Sequence, residues 1–156
     1  MRRPLVLAAV AVLAAGCGSD TPPEVRFAAG GTSVTARPTQ YCDLKLTDCS
    51  ADDAAPVRLA VPAGTALEVT VPDGVAEAPW HVVFSYRSEG GEQVDGRSPL
   101  FPADEQQEYT LTLPAPTDWL VTAQVQQFGP APQINEDTGE IEFPVRGSWV
   151  LTATGT

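Results

Sequence analysis

Only four side chains in this 156-residue chain carry thiol or imidazole chemistry: Cys17, Cys42, Cys49 and His81. Reactions near neutral pH need such groups in company. His81 has none that the sequence identifies. The segment "GRSPLF" around Ser98 lacks the second glycine of a Gly-x-Ser-x-Gly nucleophile elbow, so a hydrolase triad has no support. A blue-copper centre wants two His, a Cys and a weak Met, but the chain has one His and its sole Met is Met1. Cys42, Cys49 and His81 give structural zinc at most three ligands, at no familiar spacing. Calcium comes nearest, with Asn135, Asp137, Glu140 and Glu142 around Gly139 in "INEDTGEIE", yet the loop lacks the ligand order and distant bidentate Glu of a calcium loop. The expectation is no catalytic residue, no metal site and no cofactor.

Charge narrows the partners. Twenty acidic residues face nine basic ones, of which Lys45 is the only lysine. So acidic a chain repels phosphate backbones, which argues against nucleic acid and favours solubility and cationic partners. Its length suits one domain.

Arg2 and Arg3 are followed by the 11 apolar residues Leu5 to Ala15 and then by small residues, the layout of a secretory leader. The run is too short for a mature membrane-spanning helix, which needs roughly 20 residues. Leu13-Ala14-Ala15-Gly16-Cys17 resembles the bacterial lipobox, where the cysteine receives a diacylglycerol and cleavage falls just before it; Ala14 departs from the usual leucine. The resemblance implies a leader over 1–16, a lipidated Cys17 with a tether over 17–24, and a domain over 25–156. The alternative is ordinary cleavage that leaves a free thiol. Loss of Arg2 and Arg3 leaves seven basic against 20 acidic residues, a formal charge of −13. A polybasic patch therefore cannot hold the protein to anionic lipid, whereas acyl chains on Cys17 can. The tether "GSDTPPE" reaches at most about 25 Å and keeps the domain near the membrane.

Cys42 and Cys49 then form an even pair in an exported chain, which reads as a disulfide. Closing so short a loop stabilises by roughly 2.5 kcal/mol on chain-entropy grounds. The spacing is not Cys-x-x-Cys, so a staple is the reading rather than a redox pair. Asp43, Asp48, Asp52 and Asp53 surround it and form the candidate partner-binding loop, suited to a basic patch.

The elements that position these residues are strands. Val57/Leu59/Val61, Leu67/Val69/Val71, Trp80/Val82/Phe84/Tyr86, Tyr109/Leu111/Leu113, Trp119/Val121/Ala123/Val125 and Trp149/Leu151/Ala153 each alternate with the residues between them. On that pattern His81, Val83 and Ser85 share the face opposite Trp80. Val61-Pro62-Ala63-Gly64 and Val71-Pro72-Asp73-Gly74 suit type I turns, and Asp137-Thr138-Gly139 a hairpin tip. Recurrent prolines leave room for a helical turn only at Ala103 to Gln107. The fold expected is all-β, an immunoglobulin-like two-sheet sandwich with an open barrel as the alternative. Trp80 resembles the third-strand tryptophan of such domains, although no cysteine pair brackets it.

"QYCDLKLTDCS" followed by "VPAGTALEVTVPDGVAEAPWHVVFSY", behind a lipobox, resembles a family of small actinobacterial exported lipoproteins grouped as a domain of unknown function. The resemblance covers nearly the whole mature chain. It implies an extracytoplasmic, membrane-anchored location and supplies no activity or catalytic residue. The functional expectation is a non-catalytic binding or assembly module that presents the connections Gln40–Pro56, Ser88–Glu108 and Gln127–Glu140 to an envelope protein or wall polymer. The rival is a small-ligand-binding lipoprotein or an envelope hydrolase.

Overall fold

A strand with period-two patterning can bury only one face, so such strands must pair and then stack face to face. The computed structural model describes residues 21–155. Its elements in chain order are β1 (Val25–Ala29), β2 (Thr32–Ala36), β3 (Gln40–Cys42), β4 (Cys49–Ala51), β5 (Val57–Ala60), β6 (Leu67–Thr70), the helical turn α1 (Asp73–Ala76), β7 (Trp80–Arg87), β8 (Gln93–Arg97), β9 (Glu108–Leu111), β10 (Trp119–Phe128), β11 (Gln133–Ile134), β12 (Ile141–Glu142) and β13 (Val145–Thr154). One sheet runs β2-β1-β6-β9; the larger runs β4-β3-β13-β10-β7-β8, with β5 parallel to β13. β11 and β12 pair only with each other. The sheets stack without closing into a barrel. The protein is an all-β sandwich. The run β13-β10-β7-β8 facing the β6–β9 pair follows the order of an immunoglobulin-like domain, with Trp80 on the strand expected for its core tryptophan.

Both inner faces meet in one core, centred on Trp80, Trp149, Phe27, Leu67, Val69, Val82 and Leu151, all of them essentially inaccessible to water. A buried indole N–H needs an acceptor, and each core tryptophan has one. Trp80 Nε1 donates to the Gln106 carbonyl at 3.0 Å and Trp149 Nε1 to the Pro23 carbonyl at 2.8 Å. Trp80 also packs on Phe101 at 4.5 Å between ring centroids, and Phe101 on Tyr109 at 5.4 Å.

Four details differ from simple patterning. In β10 the register shifts between Leu120 and Thr122, so Leu120 joins Ala123 and Val125 in the core, and Trp119 and Val121 do not. The unpaired Val121 is a bulge, and one extra residue inverts every side chain before it. The turn after Val61 starts one residue later than proline preference suggests: Thr65 N–H donates to the Pro62 carbonyl at 3.0 Å, with Gly64 at φ +73°. Positive φ at the third position makes it type II rather than type I. The chain winds into its helical turn at Asp73–Ala76, where Val75 and Ala76 N–H both donate to the Pro72 carbonyl. Residues 103–105 form only a turn, with Asp104 at φ +60° and its N–H on the Ala76 carbonyl. Finally, the connections Gln40–Pro56 and Ser88–Glu108 contain the short strands β3, β4 and β8, too brief or too polar to show alternation.

Gly64 gives a direct check on the type II turn. A Cβ there would stand 2.9 Å from the Pro116 carbonyl oxygen, whereas at Gly31, φ +84°, it would meet nothing within 4 Å. An L-residue in the left-handed region costs about 1–2 kcal/mol at either site. Gly64→Ala should therefore lower unfolding stability by more than Gly31→Ala, measured by urea titration. Equal losses would mean that the backbone approach of Pro116 is not rigid.

Candidate functional site

One end of the sandwich concentrates the chain's irregular chemistry. It begins with a bulge in β13. Gln127 pairs with Gly147 and Phe128 with Val145, so Arg146 is left without a partner in the ladder. Bulges re-aim side chains, and this one turns a guanidinium inward, where only 8% of Arg146 stays exposed. Its Nε donates to the Cys42 carbonyl at 3.1 Å, and Nη1 reaches Gln127 Oε1 at 3.5 Å and Glu77 Oε1 at 3.6 Å. The guanidinium also lies over the Tyr41 ring, 4.8 Å from its centroid. Gln127 is fully buried, and its amide nitrogen donates to the Gly74 and Val75 carbonyls, each at 2.9 Å. Disulfide hairpin, α1, β10 and β13 are thus joined through two polar side chains, and no buried side-chain polar atom is left without a partner among the described residues.

The disulfide lies on the same end. Cys42 and Cys49 face each other across the β3–β4 ladder and are bonded, with Cα atoms 4.0 Å apart. The loop between them is organised by Asp43. Its Oδ1 accepts N–H bonds from Thr47 at 2.7 Å and Asp48 at 3.1 Å, and its Oδ2 accepts the Thr47 hydroxyl at 3.0 Å. The Asp48 and then the Thr47 backbone N–H hold the Asp43 carboxyl below the usual aspartate range. Leu46, at φ +59°, directs a methyl to within 3.1 Å of where a Cβ on Gly129 would stand, tying the loop to the base of the β11–β12 hairpin.

The four aspartates singled out by spacing do not act together. Asp43 organises its own loop. Asp52 accepts the Ala54 N–H at 2.9 Å and pairs with Arg37 at 3.2 Å. Asp48 and Asp53 are exposed, with no side-chain partner among the described residues. Among the described residues no three His, Cys, Asp or Glu side chains are placed to share a metal ion. In the hairpin, Asn135 Oδ1 accepts the N–H groups of Asp137 and Thr138, and its Nδ2 donates to Glu142 Oε1, so that asparagine shapes the turn. His81 lies on the outer face of the large sheet, as alternation predicts, bonded to Gln126 at 2.9 Å and edge-on to Phe128 at 4.9 Å.

Beside Arg146 lies an open recess of about 550 Å³ lined by Thr21, Pro22, Tyr41, Asp43, Asp48 and Ser50. The proline pair expected in the tether is packed on the fold: Pro22 lines the recess, both prolines are half-buried, Pro23 lies against Gly74, and its carbonyl accepts the Trp149 indole. The chain therefore enters the fold at this end, and Thr21 is already on it. Cys17 and the leader lie outside the described residues. Sequence reading missed Arg146 and Gln127, because each looks like an outward polar residue of a strand. The signal available was Pro144-Val145-Arg146-Gly147, a proline and a glycine bracketing an arginine at a strand start, which suits a bulge.

A family model described as "Protein of unknown function (DUF2771)" matches residues 18–154, and the chain belongs to that family. No curated protein and no solved structure matches it.

Two checks follow from this geometry. Arg146→Ala should cost about 2–4 kcal/mol, because the Cys42 carbonyl and Gln127 Oε1 both lose their donor in a buried place. Glu77→Gln should cost under about 1 kcal/mol, since Glu77 is 56% exposed and its ion pair is screened. Equal losses in urea titrations would mean that the ion pair, not the buried donors, matters. Asp43 supplies a pH signature. Its folded pKa is depressed, so its stabilisation is present above the unfolded aspartate's pKa and lost as pH falls through the lower folded value. The stability gap between the wild type and Asp43→Asn should be constant from neutral pH down to the ordinary aspartate range and close below it.

Proposed function

With membership of that family as the premise, we propose that this chain is an actinobacterial exported lipoprotein, anchored by a diacylglycerol on Cys17 at the extracytoplasmic face of the cell membrane. It works there as a non-catalytic binding or assembly module of the envelope. The observation that carries this reading is the docking of Pro23 by Trp149 at 2.8 Å. The core is filled by residues of the two sheets, of α1 and of the connections, such as Val75 and Phe101, and Pro22 and Pro23 are not part of it. Instead the chain meets the fold at an outer end. Only three residues separate Cys17 from Thr21, so the four steps between them reach at most about 14 Å. The end that carries the disulfide, Arg146 and the base of the β11–β12 hairpin would then stand over the membrane.

Charge fits a module held by acyl chains rather than by lipid headgroups, since the mature chain's −13 is repelled by an anionic leaflet. Of the acidic loop, Asp48 and Asp53 remain free to meet a basic partner, while Asp43 and Asp52 hold the loop in shape. The stapled, pre-ordered loop lowers the ordering cost of any such contact.

Cys17→Ser should release the protein from the membrane fraction and abolish incorporation of a labelled fatty acid such as palmitate. Unchanged sedimentation with membranes would overturn the anchor.

A further inference from the structure

Residues 129–144 leave the large sheet after Phe128 and rejoin it at Val145, and within them β11 and β12 pair with no other strand. Ile134 and Ile141 are directly opposite in that ladder, so their side chains share one face of the ribbon. They are 70% and 68% exposed. Gln133 and Glu142 lie on the other face, and Phe143, just past the end of β12, is 59% exposed. A two-stranded ribbon is marginal in water and ordinarily relies on burying such a face. Here the face lies open, although the base of the ribbon is fixed. Gly129 N–H donates to the Pro144 carbonyl at 2.8 Å, and Leu46 packs against Gly129. At the tip, Asn135 N–H donates to the Glu140 carbonyl and Gly139 N–H to the Asn135 carbonyl, both at 2.8 Å.

Charge decides what can cover this face. Residues 129–144 contain Glu136, Asp137, Glu140 and Glu142 and no Lys or Arg. A bilayer surface is a poor occupant, because an anionic leaflet repels four carboxylates set among three apolar groups. A second copy is also poor. The mature chain carries 20 acids against seven bases, and of those bases Arg146 is buried and Arg37 is paired with Asp52.

We propose that the β11–β12 ribbon docks Ile134, Ile141 and Phe143 into an apolar site ringed by Arg or Lys on another envelope protein. This rests on the reading of the chain as an anchored binding module, and it names the surface and the chemistry of the partner. The ribbon springs from the end where the chain enters the fold, so the complementary site lies close to the membrane. Acyl anchoring holds both proteins in one layer, which raises their effective concentration. Opposite charge at the rim speeds encounter and gives an association rate that falls with salt.

The test uses the full chain in its own envelope, with a photoreactive residue at Ile141, at Phe143 or, as control, at exposed Ser33 on β2. The expected result is one discrete protein adduct from Ile141 and Phe143 and none from Ser33. The captured protein, purified, should bind the wild-type chain at least tenfold more tightly than it binds Glu136→Lys/Glu140→Lys. Reversing charges on its own basic rim should restore binding to that variant. Thermal melting should be unchanged in the variant, because the ribbon lies off the core. An adduct of twice the chain's mass, transfer of label to lipid, equal capture from Ser33 or no adduct at all would each overturn the proposal. Cys17→Ser run in parallel separates the two readings. If it stays on membranes while Ile141 still captures its partner, the anchor fails and the docking stands. If it is released and wild-type Ile141 captures nothing, the docking fails and the anchor stands.

Discussion

The inward turn of Arg146 is the constraint on which this end of the molecule depends. A guanidinium keeps its charge at any biological pH, so it can be buried only where acceptors surround it. The bulge that drops Arg146 out of the ladder with β10 supplies that place. The Cys42 carbonyl, Gln127 Oε1, the Tyr41 ring and the partly exposed Glu77 each take part of the charge. No single one of these contacts is strong. Together they fix the disulfide hairpin to the sandwich at a point where the ladder between β3 and β13 is only two residue pairs long.

Gln127 extends the same logic to α1. Its amide donates to two carbonyls in the middle of a four-residue helical turn, which is too short to pair most of its own carbonyls. With Gly74 and Val75 held, Pro23 packs against Gly74 and its carbonyl meets the Trp149 indole. A polar network of two side chains thereby determines how the chain enters the fold. Satisfied networks of this kind specify geometry more than they add stability.

The two ends of the sandwich differ in kind. The sheets spend their apolar residues on a shared core, and their outer faces carry mixed polar groups such as His81, Gln126, Ser85 and Thr122. Of the five large apolar side chains that are exposed among the described residues, Leu44, Ile134, Ile141 and Phe143 belong to the disulfide loop and the β11–β12 ribbon, which Leu46 joins at their bases, and Leu100 lies apart in the β8–β9 connection. Exposed apolar groups gathered in this way are a common mark of interaction surfaces. Carboxylates set around such groups disfavour contact with other acidic surfaces.

The all-β class, the sandwich and the place of Trp80 were legible in the sequence, because period-two alternation and turn residues are local properties that tertiary contacts seldom override. The Cys42–Cys49 bond was legible too, since two cysteines only seven residues apart, at a spacing that suits neither a redox pair nor a metal site, have few other partners. Other features depended on residues distant in sequence. The face assignment of Leu120 turned on a single unpaired residue, Val121, and nothing in "DWLVTAQ" marks which residue will drop from the ladder. Arg146 and Gln127 look like outward strand residues until β3, α1 and β10 converge on them. The four aspartates separate into two that shape the loop and two that face water, because that division depends on which backbone N–H groups and which arginine the fold brings near each carboxylate. Local pattern determines which face of a strand is apolar. Only the packed structure decides which charged groups find partners, because those partners lie up to 104 residues away, as Cys42 does from Arg146.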